Sequence, residues 1–506
     1  MDNIQEPPFY TRFLSLNFSN LLILLCAFFA TYIVSTAVYS AYFHPLSHIP
    51  GPKLYAASYI VPAWHSINGR RPFMIHKLHE KYGDVVRFSP NHVSFCTGDA
   101  YKELYSNKPG RGQLMKDPGS YLSFTVAGIH NILTTPSDED HSRFRRLLAH
   151  GFSEKATREQ ESVVLGYVDL LIQRLHECAK EGPQDLVSWY NWTTFDLIGD
   201  LTFNESFQCL EKSAYHPWIE FIFGGFKAGS ILNTLKQFPV AARVLNFLLK
   251  DVINEKMAKN AAFSRQKTAN RITANTDRLD FLGYVLRHKG TEKEMSIAEI
   301  ESTSSVLVLG GSETTATMLS GATYLLLTNR HVLDRLVAEI RGHFANEGDI
   351  NMVSVNKLTY ELAVLEEAMR FFPPAPLGSM RKLPPQGDTI LGHELPGDTV
   401  VLATNYAACH SSRNWKDADS FIPERWLDHP DYKDDNKSSS QPFSVGPRNC
   451  IGRNLAYAEM RVIIARLIWN FDMELSQESM NWMESLKIFG LWEKLPLMVK
   501  LTPRAR

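Results

Sequence analysis

Phe443-Ser444-Val445-Gly446-Pro447-Arg448-Asn449-Cys450-Ile451-Gly452 sets one cysteine in a glycine-flanked loop, with an arginine two residues before it. The chemistry this spacing offers is a lone thiolate for a haem iron, because a thiolate axial ligand pushes electron density onto the metal and favours O–O cleavage. Ile451 to Ile464 is apolar at helical spacing, which predicts the sulfur at a helix N-terminus, where the dipole favours its anionic form. Gly446 and Gly452 let the backbone pass close to a flat macrocycle without a Cβ clash. Arg448 has the reach and charge for a propionate, and Phe443 is placed to keep water from the sulfur. The plain alternative for any single cysteine is a buried small hydrophobe.

Four further stretches must position such a centre. Lys357 to Phe372 has helical periodicity and ends at Phe371-Phe372-Pro373-Pro374, since proline has no N–H and restricts the residue before it. On that helix Glu367 and Arg370 share a face. Pro423-Glu424-Arg425-Trp426 follows, about 55 residues on. Gly310-Gly311-Ser312-Glu313-Thr314-Thr315 lies within a long helical run, about Ile297 to Leu327. Two mid-helix glycines cost about 1 kcal/mol each against alanine, which points to a close approach to the backbone or a local opening of the helix. His141-Ser-Arg-Phe-Arg145-Arg146 precedes Gly151-Phe152-Ser153.

Together these motifs resemble the cytochrome P-450 family, and the resemblance covers nearly the whole chain. It implies haem b with Cys450 as axial iron ligand, and propionates held by Arg448, Arg145, His141 and Arg381. His141 stands where many members carry tryptophan. It implies a buried scaffold triad of Glu367, Arg370 and Arg425. It assigns oxygen activation to Thr314, which places dioxygen and water, and to Glu313, which relays protons; the family often has aspartate there. The fold implied is mainly α with small β-sheets, a single P-450 domain behind an N-terminal transmembrane helix. The texture of His44 to Lys53, Phe195 to Glu211, His216-Pro217-Trp218 and Leu491-Trp492-Glu493-Lys494 resembles filamentous-fungal members of secondary metabolism.

The N-terminus speaks to location. No charged side chain occurs between Arg12 and Lys53, and residues 21–43 are almost wholly apolar. About 20 such residues span a bilayer as a helix. The long core and the acidic head (Asp2, Glu6) favour an uncleaved anchor over a signal peptide. The expected organisation is a lumenal segment 1–20, an anchor 21–43, a stiff proline-rich hinge 44–53, and a catalytic domain 54–506 on the cytosolic face of the endoplasmic reticulum. Net charge −1 over 506 residues argues against nucleic acid. Six cysteines without C-x-x-C pairing suit a reducing compartment.

A monooxygenase of this kind needs electrons, and the chain has no G-x-G-x-x-G loop. The resemblance therefore implies a separate NADPH–cytochrome P-450 reductase, with cytochrome b5 as a second donor. The substrate class expected is a lipophilic terpenoid, polyketide or alkaloid intermediate. The loop from Tyr121 to Asn131 is expected over the pocket, with Leu309, Pro376, Leu377 and Ile488 or Phe489 lining it or simply packing. Residues 221–247 are expected at the membrane. Two other classes stay open at this level: a haem-thiolate isomerase or dehydratase working without reductase, and a non-catalytic membrane scaffold.

Overall fold

The computed structural model describes residues 18–504, apart from 122–124, 127, 275, 277 and 279. Most of the segment expected in the lumen, up to residue 17, and part of the expected pocket loop lie outside the described residues.

Helices dominate. The site rests on α1 (Phe18–Val38), α2 (Asp138–Ala149), α3 (Leu186–Phe203), α4 (Pro217–Leu235), α5 (Pro239–Thr273), α6 (Ile297–Thr328), α7 (Thr359–Phe371) and α8 (Arg453–Asn470). The strands are β1 (Val85–Ser89), β2 (His92–Phe95), β3 (Met115–Lys116), β4 (Gln184–Asp185), β5 (Arg381–Lys382), β6 (Asp388–Ile390), β7 (His393–Leu395), β8 (Val400–Ala403), β9 (Phe471–Leu475), β10 (Lys487–Phe489), β11 (Leu491–Glu493) and β12 (Met498–Pro503). They form one five-stranded sheet in the order β1-β2-β8-β5-β3, a three-stranded sheet β4-β12-β9, and the two hairpins β6-β7 and β10-β11. Only the β2–β8 pair in the large sheet is parallel. Two-residue strands such as β3 and β9's five-residue run were not legible in the pattern, because so few residues carry no period.

A large apolar core gathers around α3, α6, α7 and α8, and a second core lies under the five-stranded sheet. The central helix α6 begins at a capping box of Ser296 and Glu299, which satisfies two otherwise orphaned N–H groups. It runs unbroken through Gly310 and Gly311, so the local opening admitted by the sequence does not occur. The two glycines have different surroundings. A Cβ on Gly311 would come within 2.5 Å of the Ile198 side chain on α3, whereas one on Gly310 would meet nothing. The first permits helix packing; the second leaves the helix surface open.

α1 continues through a π-helical turn, Tyr39–Phe43. Ser19–Phe43 is 25 residues long, and its most apolar stretch, of mean hydropathy 2.4, is left uncovered by the described residues, while Ala41 near its end is buried. A helix apolar on all sides and unpartnered is a candidate membrane anchor. The proline-rich stretch after it, expected as a stiff hinge, packs against the domain. Pro45–His48 forms a 3₁₀ turn, and Leu46 and Ile49 are buried in the second core. Arg87 donates to the Ser40 carbonyl at 2.9 Å, and Lys53 to the Ala41 carbonyl at 3.2 Å. The anchor is thus seated on the domain by backbone carbonyls that the end of α1 leaves free.

Candidate active site

Cys450 sits just before α8, whose N-cap is Gly452. Its loop is closed by the backbone: Cys450 N–H donates to the Phe443 carbonyl at 2.9 Å and Asn449 N–H to Gly446 at 3.1 Å. Gly446 has φ 79°, and a Cβ there would lie 2.1 Å from the Tyr105 carbonyl. The protein's own chain therefore requires glycine there. A Cβ on Gly452 would meet only Phe152 at 3.9 Å, so protein packing does not demand glycine there. Phe443 packs against Tyr457 of α8 with ring centres 5.2 Å apart.

The sulfur is solvent-accessible although protein surrounds it closely enough for burial to raise its thiol pKa. A hydrogen bond from the Gly452 N–H, then Arg145 and Arg453, pull the other way and favour the thiolate. Arg145, on α2, donates to the Asn449 carbonyl at 2.7 Å and to its side-chain oxygen at 2.5 Å. It is therefore engaged with the cysteine loop itself. Arg146 is exposed.

Above α2 lies a group of buried cations. Arg448 donates to the carbonyls of Thr135 (2.8 Å) and Ser137 (3.1 Å) and pairs with Asp138 at 2.8 Å. Arg381 on β5 is 3% exposed, and its Nε and Nη1 have no hydrogen-bond partner among the described residues. Lys116 faces it across the β3–β5 register and is also buried, with a bond to the Leu133 carbonyl. Burial drives the Lys116 ammonium well down, and Arg381 and Arg448 lower it further. His141 is buried in reach of Arg448, Lys116, Arg145 and Arg381. Burial first, then those cations, push it down to about 3, so its ring is neutral.

On α6, Gly310 is open and Thr314, one turn on, is half-exposed. The Thr314 hydroxyl donates to the Gly310 carbonyl at 2.6 Å. Glu313 lies elsewhere on the helix surface. It is 3% exposed and ion-paired with Lys494. Thr317 donates to it at 3.4 Å. The acid beside Thr314 is thus buried and ion-paired. Leu309 and Phe489 are buried, Ile488 belongs to the main core, and Leu377 packs against the second one.

Behind the cysteine loop, Glu367 accepts from Arg370 (2.9 and 2.7 Å), Arg425 (3.0 Å), Trp426 (2.9 Å) and the Ile422 N–H (2.9 Å). Glu367, Arg370 and Arg425 are fully buried. Arg370 also caps the carbonyls of Cys409, Ala418 and Ser420.

The family model for cytochrome P-450 matches residues 51–501. The chain belongs to the cytochrome P-450 family. The P-450 monooxygenase AstA of Talaromyces wortmannii is 42% identical over 489 residues, covering 95% of this chain and 97% of that protein. The averantin hydroxylase of Dothistroma septosporum is 43% identical over 478 residues, covering 93% and 89%. The P-450 monooxygenase TraB of Penicillium crustosum is 43% identical over 489 residues, covering 94% and 96%. P-450 enzymes are oxidoreductases that incorporate one oxygen atom, and they bind haem through a cysteine thiolate.

This P-450's residues fit that group. Lys116, Arg381 and Arg448 present three buried cations, with the Asp138 carboxylate paired to Arg448 and two Arg381 N–H groups unspent. Buried charge is stable only when compensated, and two propionates supply what the cluster calls for. Sequence reasoning missed Lys116, since a lysine in a two-residue strand carries no motif. Lys494 was visible only as tail texture.

Glu459 on α8 was also missed. It is 2% exposed; burial raises it to about 8 from 4.5, against a hydrogen bond from Thr315. The folded P-450 therefore keeps a proton that the unfolded chain has released. That contribution is fully present below pH 4.5 and is lost as pH rises through about 8. Glu459→Gln should flatten this dependence and exceed wild type by on the order of 4 kcal/mol at pH 9. Thermal unfolding of both proteins from pH 5 to 9 checks it; parallel curves would refute the assignment.

Proposed function

We propose that this P-450 is a single-pass, membrane-anchored monooxygenase of the endoplasmic reticulum that oxidises a lipophilic secondary metabolite of terpenoid, polyketide or alkaloid type. Residues 1–20 lie in the lumen, 21–43 span, 44–53 seat the anchor, and 54–506 carry the chemistry in the cytosol. Electrons come from a separate NADPH-dependent reductase, with cytochrome b5 as an accessory donor. The observation that carries the reading is the uncovered surface of α6 at Gly310 and Thr314, in a chain whose exposed Cys450 heads α8.

Cys450 ligates the iron, and the Gly452 N–H with the α8 terminus holds the sulfur as thiolate. Lys116, Arg381 and Arg448 hold the propionates, with neutral His141 as a further donor. Arg145 braces the loop through Asn449 and favours the thiolate. The haem, when bound, supplies the redox chemistry that activates dioxygen. The chain does the rest. Gly310 leaves room for a small molecule on α6, Thr314 Oγ1 exchanges its Gly310 bond for one to oxygen or water, and Glu313 supplies the proton.

Apolar side chains support membrane entry of substrate. Val240, Phe247 and Leu248 on α5 are exposed, as are Leu54, Ile60 and Trp64 just after the anchor. Ile60–Ile67 packs against α4, so both patches border the same helix. Apolar patches of this kind mark a lipid or protein contact.

Membranes carrying the chain, supplied with reductase, NADPH and labelled dioxygen, should place one labelled oxygen in a lipophilic product. Turnover without NADPH and dioxygen would replace this reading with isomerase or dehydratase chemistry. Thr314→Ala should leave the haem spectrum intact while product per NADPH falls several-fold and peroxide rises by the difference. Unchanged product yield would remove Thr314 from oxygen activation.

A further inference from the structure

We propose that Lys494 is the positioning residue of Glu313, and that the β10–β11 hairpin couples this carboxyl to α4. The proposal rests on the reading of Glu313 as proton donor. Lys494 is a lysine with a 3% exposed side chain, and lysine is almost never buried unless paired. Its ammonium reaches Glu313 Oε1 and the Thr317 hydroxyl, the latter at 2.8 Å. Glu313 Oε2, on the same carboxyl, is buried with no hydrogen-bond partner among the described residues. The desolvation of a buried charge is offset by the bonds it makes, and this oxygen has room for one more. Half of this carboxylate is left for another donor. Burial raises the Glu313 pKa and Lys494 lowers it, so the lysine sets how readily the acid takes and returns a proton.

The same strand end touches a second helix. Glu493, the residue before Lys494, pairs with Lys227 of α4 at 2.7 Å. The Lys227 ammonium also lies 5.0 Å from the ring centre of Phe489 on β10. Neighbouring residues of an extended chain point to opposite sides. One backbone register is therefore read by α4 at Glu493 and by α6 at Lys494. The outer pair is 49% and 37% exposed; such pairs are weak and open readily. A shift of α4, the helix beside the membrane-facing patches, moves the hairpin and with it the hold on Glu313. Substrate seating and proton delivery are linked by two consecutive side chains.

The test uses full-length holoenzyme in membranes with reductase. Lys494→Met should raise peroxide per NADPH several-fold and alter the kinetic solvent isotope effect, while Lys494→Arg restores most of the coupling. Infrared spectra, which need no turnover, should show a protonated carboxyl band in Lys494→Met that is absent from Lys494→Met/Glu313→Gln. Lys227→Glu should move peroxide the same way by a smaller factor, and Lys227→Glu/Glu493→Lys should reverse it. If Glu313→Gln changes both kinetic readouts and Lys494→Met changes neither, the positioning role is refuted and the donor role stands. If Glu313→Gln changes neither, the donor reading fails and takes the proposal with it. Failure of the charge swap to restore coupling would refute the link to α4. Should Lys494→Met not fold, the Lys494→Arg and Lys227 variants still decide the matter.

Discussion

Cys450→Ala should erase the thiolate-type Soret band from the carbon monoxide difference spectrum of reduced membranes and take oxygenation below detection. The expectation is specific to the sulfur. The loop is held by backbone bonds from Cys450 to Phe443 and from Asn449 to Gly446, and by Arg145 on Asn449. None of these uses the thiol. Alanine therefore keeps the loop and the α8 N-terminus and removes only the group that the Gly452 N–H and Arg145 stabilise as an anion. Loss of electron push from a thiolate removes the driving force for O–O cleavage, so the effect is all-or-none. Cys450→His is the useful companion, because it should bind haem with a blue-shifted, imidazole-type band and no oxygenation. A wild-type spectrum from Cys450→Ala would overturn the ligand assignment.

Glu367→Ala should prevent the chain from reaching a haem-binding state. The carboxylate serves five donors: two from Arg370 and one each from Arg425, Trp426 and Ile422. Arg370 and Arg425 are fully buried, so alanine strands both guanidiniums away from water. Arg425 keeps Asp435, but Arg370 loses the one carboxylate it pairs with among the described residues. Breaking a buried pair costs about 3–5 kcal/mol, a large part of the roughly 5–15 kcal/mol that holds a domain together. Glu367→Gln retains the shape and some acceptors and should be intermediate. Haem content per protein and thermal unfolding measure the effect. A holoprotein of wild-type stability from Glu367→Ala would show that the triad is dispensable.

Much of the architecture was legible because long helices repeat their own signal. The run read as Ile297 to Leu327 is α6, Ile297–Thr328, and the run ending at Phe372 is α7, Thr359–Phe371. Proline stops and apolar spacing are local facts, and they survive folding. Phe443, Cys450 and Gly452 share a ten-residue loop and could be read together for the same reason. Glu313 could not. Its position beside Thr314 is local, but its partner is 181 residues away, and the hairpin that brings Lys494 to it has three-residue strands without a period. Lys116 meets Arg381 only because β3 pairs with β5.

By itself the sequence determined the cysteine loop, the helix that follows it, the apolar N-terminal helix and the residue types that a haem-thiolate enzyme needs. Each of these is written in neighbouring residues, where periodicity, proline and glycine act directly on the backbone. Tertiary structure alone decided which charges meet. It gave Gly446 to the Tyr105 carbonyl, turned Glu313 to Lys494, gathered Lys116, Arg381 and Arg448, and bound the proline-rich segment to Arg87. Charge compensation and desolvation operate across space, between segments hundreds of residues apart, and their outcome exists only once the core has closed around them.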